Sequence, residues 1–135
     1  MKVKANDLGV CGVEQLFYAG SIAFNTEDIS TGVALCELPH SAIITRAVAV
    51  VKTAFNAATT NVVTVGVGLD NSHDPQTDNL LGSSDITEGT AAAYSKQVFV
   101  EAKKGDKVYA KYTQTGTAAT AGAADIYLFA VGTPE

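Results

Sequence analysis

The chain has 135 residues, 47% hydrophobic and 17% charged, with a net charge of -5. That is the size of one domain, long enough to bury roughly two-thirds of its unfolded surface and fold without metal or disulfide staples. The acidic balance and the scatter of the nine basic residues, of which only Lys103 and Lys104 are adjacent, argue against charge neutralisation of phosphates and so exclude nucleic acid as the expected partner.

Residues 1–15, "MKVKANDLGVCGVEQ", mix charged, small and apolar types around Gly9 and Gly12. They read as an extended N-terminal arm or lead-in strand, which orders when a neighbour ties it down. Residues 16–135 read as one β-sandwich domain. "LFYAGSIAF", 16–24, is a strand interrupted by Gly20, "NTEDISTG", 25–32, is a turn cluster, and "VALCEL", 33–38, is a short strand closed by Pro39. "AIITRAVAVVKTAF", 42–55, is the longest candidate strand. Neither of its alternating faces is cleanly polar, which predicts a strand covered on both sides or bent by a bulge.

"NAATTN", 56–61, is a tip of small residues. In "VVTVGVGL", 62–69, Val63, Val65, Val67 and Leu69 form one apolar row with Thr64, Gly66 and Gly68 behind it. Each glycine disfavours a helix there by about 1 kcal/mol. This charge-free run is an aggregation hazard if bare, so it is expected inside a sheet.

"DNSHDPQTDN", 70–79, is a polar loop, and 80–90 holds short extended pieces and turns. "YSKQVFVEA", 94–102, sets Val98, Val100 and Ala102 against Gln97, Phe99 and Glu101; after the turn "KKGD", "KVYAKY", 107–112, sets Val108, Ala110 and Tyr112 against Lys107, Tyr109 and Lys111. "TQTGTAATAGAAD", 113–125, contains an unbroken Thr/Ala/Gly run from 115 to 124, and "DIYLFAV", 125–131, ends the fold. About eight strand candidates with no amphipathic helix predict an all-β, antiparallel β-sandwich, a jelly roll in preference to other sandwiches.

Chemistry finds few footholds. His40 and His73 are the two histidines, and no G-x-S-x-G surrounds a serine. Cys11 and Cys36, 25 positions apart, have neither zinc spacing nor a cysteine-protease signature. They read as two free thiols in a reducing compartment. Asp70, Ser72, Asp74, Gln76 and Asp78 carry oxygen at alternate positions, as a loop wrapping a hard cation does. The match to an EF-hand then breaks at Pro75 and Leu81. A solvated turn-rich loop is the preferred reading, with calcium as a weak candidate. Sugar-active sites use aromatic platforms, but the chain has no Trp, and its strand tyrosines Tyr94, Tyr109, Tyr112 and Tyr127 fit core or cross-strand pairs. The chain therefore reads as a non-enzyme with no cofactor. No signal peptide or bilayer-length apolar run is present in it, so neither secretion nor a membrane partner is expected.

The Thr/Ala/Gly run has too little chain after it to be a linker, and it lacks the charged and aromatic groups of a ligand loop. Thr and Ala cost little side-chain entropy on ordering. The run reads as a hairpin tip that is mobile alone and ordered at a contact with another protein, and the same logic fits 56–61.

"SAIITRAVAVVKTAFNAATTNVVTVGVG", 41–68, resembles a pattern of small structural proteins of tailed bacteriophages: an apolar strand, a Thr/Ala/Asn tip, and a second apolar strand with glycines. "GDKVYAKYTQTGTAATAGAADIYLFAV", 105–131, resembles their closing hairpin. The family indicated is capsid decoration, or cement, proteins. The resemblance implies a domain on the outer head surface, assembled in the host cytoplasm, with the major capsid protein as partner. It also implies a homo-oligomer, trimer before dimer, and carries over no catalytic residue. Contact residues are then expected in the arm (Val3, Leu8, Val10), in the first tip (Asn56, Ala58, Thr59, Thr60) and in the second (Thr115, Thr117, Ala119, Thr120). The alternatives are a receptor- or glycan-binding module of a fibre or spike, and another tail or neck component.

Overall fold

The computed structural model describes residues 14–68 and 77–134. Seven strands run in chain order: β1 (Glu14–Ala23), β2 (Val33–Glu37), β3 (Ala42–Thr53), β4 (Thr60–Gly68), β5 (Ala93–Ala102), β6 (Lys107–Thr115) and β7 (Ala123–Gly132). They form two antiparallel sheets, ordered β1-β7-β3-β5 and β2-β6-β4. The all-β sandwich expected from the alternation is the fold observed.

Successive strands switch sheets at nearly every step, which is Greek-key winding. The exception is instructive. After β4 the chain returns to the same sheet, and Leu81 makes an isolated antiparallel bridge to Val65. Counting that bridge as a vestigial eighth strand beside β4 completes the two four-stranded sheets of a jelly roll. The 80–90 stretch gave no clear strand signal because one bridge is all the strand it contains.

The core follows from period two. β7 turns Ala124, Ile126, Leu128 and Ala130 inward, and β6 turns Val108, Ala110 and Tyr112 inward to meet Val67, Val65 and Val63 of β4. In β3 the inward set changes phase, from Ala42 and Ile44 to Ala47, Ala49 and Val51. An irregularity between Ile44 and Arg46 absorbs the change and leaves Thr45 and Arg46 both off the core. A bulge is one of the two readings that the mixed faces of 42–55 allow. β1 is also irregular, between Tyr18 and Gly20. A Cβ on Gly20 would sit 3.0 Å from Leu35 Cβ, so the glycine lets β1 approach β2 across the side of the sandwich.

The 62–69 run was expected inside its sheet, yet β4 is the last named strand of the three-stranded sheet. Its free edge is sealed by the segment that follows. Val67 donates its N–H to Asn79 Oδ1 (2.8 Å) and accepts from Asn79 Nδ2 (2.9 Å). Val65 exchanges both backbone bonds with Leu81 (3.0 and 2.9 Å). Val63 N–H donates to Glu88 Oε2 at 2.8 Å. Three alternate backbone positions along this edge are thus met: an amide and a strand fragment answer both the N–H and the C=O of Val67 and Val65, and a carboxylate accepts from the N–H of Val63.

β6 and β7 extend further into the Thr/Ala/Gly run than its residue types suggest. Thr113 and Thr115 pair with Val62 and Thr60, and Ala123 and Ala124 pair with Ala23 and Ile22. Pairing partners distant in sequence decide those boundaries.

Candidate functional site

The two tips meet at one end of the sandwich. Asn56 accepts from the backbone N–H of Thr120 (2.8 Å) and Ala121 (3.0 Å) through Oδ1, and donates through Nδ2 to Thr120 Oγ1 (3.0 Å). Ala58 N–H donates to Thr117 O, Thr59 N–H donates to Thr115 O, and the Thr60 and Thr115 hydroxyls share a 2.6 Å bond. Ala119 N–H donates to Gln114 Oε1 at 2.7 Å. Each tip is therefore the other's ordering contact, where the sequence suggested a tip ordered by a second protein. Two glycines permit the weld. Gly116 (φ +85) lies where a Cβ would be 2.3 Å from Thr59 Oγ1, and Gly122 (φ +151) lies where a Cβ would be 2.3 Å from the Phe55 ring.

Beneath the cap sits a polar cluster. Phe55 packs on Tyr112 with ring centroids 4.7 Å apart. Tyr112 Oη donates to Asn61 Oδ1 at 2.5 Å, and Asn61 also bonds both backbone groups of Ala57. Glu88 is 6% exposed and its carbonyl accepts from Phe55 N–H. Burial pushes the Glu88 carboxyl above its ordinary range, against the pull of the Val63 N–H. Burial, and then the Glu88 charge, push the Tyr112 phenol up. The cluster is a structural brace, with its groups committed to backbone and to each other.

Of the contact candidates, Asn56, Ala58, Thr59, Thr60, Thr115, Thr117 and Thr120 are exposed on the cap, while Ala119 is buried with the core. The Ala119 methyl therefore packs within its own domain. Val3, Leu8 and Val10 lie outside the described residues, as do Cys11, His73 and the cation candidates Asp70, Ser72, Asp74 and Gln76. Asp78 is described and exposed. Among the described residues, no group of three or more His, Cys, Asp or Glu side chains could hold a metal ion. His40 Nδ1 donates to Ser41 O at 2.7 Å, in a turn as its sequence context suggested. Cys36 is half-buried, and burial pushes its thiol up in spite of a Val108 backbone bond. No helix of the described residues is long and apolar enough to cross a membrane.

A second surface escaped the sequence reading. The register of the four-stranded sheet lays Leu16, Phe129 and Arg46 in one cross-strand row on its outer face, and Tyr18, Tyr127 and Val48 in the next. Tyr18 and Tyr127 pack with centroids 5.4 Å apart, and the Arg46 guanidinium lies 5.9 Å over the Phe129 ring. Leu16 (56%), Tyr18 (55%) and Phe99 (79%) are the large hydrophobics exposed among the described residues. All three lie on this face. The signal was present in "DIYLFAV", apolar in both phases: Ile126 and Leu128 fill the core, which leaves Tyr127 and Phe129 for the outside.

No family model and no curated protein matches the chain. Among solved structures, it is similar to a chain of the cyanophage Pam1 capsid asymmetric unit, with a TM-score of 0.60 and 19% identity over 98% of this chain and 94% of that one. At that identity the likeness speaks to the fold. A chain of the acidic stable capsid structure of Helicobacter pylori bacteriophage KHP30 overlaps at a TM-score of 0.45 and 15% identity, covering 91% of this chain and 100% of that one. That overlap is too loose to carry an argument.

Proposed function

We propose that the chain is a structural protein of a bacteriophage virion, a decoration domain that sits on the outer head surface, contacts the major capsid protein and stabilises the head. The observation that carries this reading is the nearly end-to-end match of its fold to a chain of a phage capsid asymmetric unit. The welded tips support it physically. They present methyls, hydroxyls and backbone already held in place, so a partner meets a surface whose ordering cost is already met. A cement protein adds contact area across shell subunits, and several weak placements combine into avidity. The contact proposed for the cap runs through Asn56, Ala58, Thr59, Thr60, Thr115, Thr117 and Thr120, with Val3, Leu8 and Val10 of the arm.

The test is addition of purified protein to expanded heads that lack it. Saturable binding that raises the melting temperature of the heads is expected, and Thr59→Arg with Thr117→Arg weakens it. Heads that take up none of the protein would reject the reading. The Tyr18–Tyr127 pair, with Tyr18 exposed and Tyr127 half-buried, is the feature a glycan-binding module would use; a glycan array without hits removes that alternative.

A further inference from the structure

We propose that the outer face of the four-stranded sheet is a seam between two copies of this chain, related by a two-fold axis that runs along the strands. Leu16, Tyr18 and Phe99 lie exposed on this face beside the half-buried Tyr127 and Phe129, and an exposed apolar patch of this kind is often a functional contact. The opposite face of the sandwich is different: there the outward positions of β6 are Lys107, Tyr109, Lys111 and Thr113, and Tyr109 is only 5% exposed. Every exposed large hydrophobic of the described residues has gone to one side.

The rows of that side are complementary to themselves. A two-fold along the strands keeps each row at its own height and reverses the strand order, so β1 faces β5 of the second copy and β7 faces β3. Leu16 then meets the second copy's Gln97 and Phe99, Tyr127 meets its Val48, and Phe129 meets its Arg46. Arg46 already lies over Phe129 in its own chain, so in the pair each guanidinium is held between two rings. This axis also leaves the tips of both copies at the same end, where both can stand on one surface. That last point rests on the decoration reading; the row matching does not.

The arrangement has an electrostatic signature. Glu14 and Glu101 end the same row, on β1 and β5. The two-fold sets Glu14 against the second copy's Glu101, and like charges at the rim oppose the pair until salt screens them. The footprint, four strands at ~4.8 Å by three residue pairs at ~6.7 Å, is on the order of 400 Å². A stable interface takes about 800 Å² per partner. The pair is therefore weak in free solution and fills when copies are concentrated or held side by side. Being isologous, it builds a dimer, where the resemblance to decoration proteins implies a trimer before a dimer.

Sedimentation equilibrium of the full chain from about 10 µM to 1 mM, the range of a weak contact, tests this without any shell. The mass is expected to climb from 13.9 kDa towards twice that value, and association to tighten as salt rises from about 0.05 to 0.5 M. Phe99→Asp, and independently Leu16→Asp, weaken it at least about ten-fold with circular dichroism unchanged; Thr113→Asp on the opposite face leaves it as in the wild type. A chain still monomeric at the top concentration, a plateau at three masses, loosening by salt, or both aspartate variants associating like the wild type would overturn the proposal. Loss of head binding by Phe99→Asp with self-association intact would also overturn it, by assigning the face to the shell. A monomeric chain that still decorates heads refutes the seam and leaves the decoration reading standing.

Discussion

β4 and β7 carry similar apolar runs, and the fold treats them differently. β4 ends its sheet, and the chain spends residues 79–88 on sealing it with Asn79, Leu81 and Glu88. β7 is central, so its backbone is paired on both sides, while Tyr127 and Phe129 face outward, half-buried, with Tyr18 and Arg46 laid against them. The difference teaches which kind of incompleteness a folded chain tolerates. A bare edge offers unpaired N–H and C=O groups, which recruit any passing strand and must be answered within the molecule. A bare face offers side chains only, and it can wait for a particular partner.

That contrast can be broken by mutation. The largest effect is expected at Leu81, fully buried under the sealed edge. Leu81→Ala should cost about 3 kcal/mol in urea unfolding, from lost burial and the cavity left behind. Asn79→Ala, which strips both backbone caps from Val67, should cost about 2 kcal/mol. Asn56→Ala removes three bonds between exposed tips. It should cost about 1 kcal/mol and speed amide exchange at Thr120 and Ala121. Phe99→Ala, on the open face, should stay within about 0.5 kcal/mol of the wild-type monomer. If Phe99→Ala proves as damaging as Leu81→Ala, the distinction between sealed edge and waiting face is wrong.

Titration sharpens the comparison further. Glu88 has its carboxyl raised by burial, so its contribution to stability is full below the unfolded pKa and is lost as pH rises through the folded one. Asp85, three residues earlier, runs the other way. The Gly82 N–H, opposed by desolvation and helped by Lys96 at 3.1 Å, holds its carboxyl below the ordinary range. Its contribution is present above the unfolded pKa and lost as pH falls through the folded one. Glu88→Gln keeps an acceptor for Val63 and should abolish the loss on the rising side of the carboxylate range, leaving the acid-side loss in place. A stability profile unchanged by Glu88→Gln would show that Glu88 does not couple folding to pH.

The sequence by itself determined the class of fold. Apolar runs, alternation and turn residues marked all seven strands to within a few residues, and the mixed faces of 42–55 left a bulge as one of two readings, which the irregularity between Ile44 and Arg46 fits. These features are local, written in the order of apolar and polar side chains along one strand. Only the tertiary structure decided the rest. The weld of the tips joins Asn56 to Thr120, the seal pairs Val63 with Glu88, and the outer face assembles Leu16, Phe129 and Arg46 from three strands. Alternation gives a strand its two faces. Which face meets the core, and which strand ends a sheet, depends on partners far away in the chain.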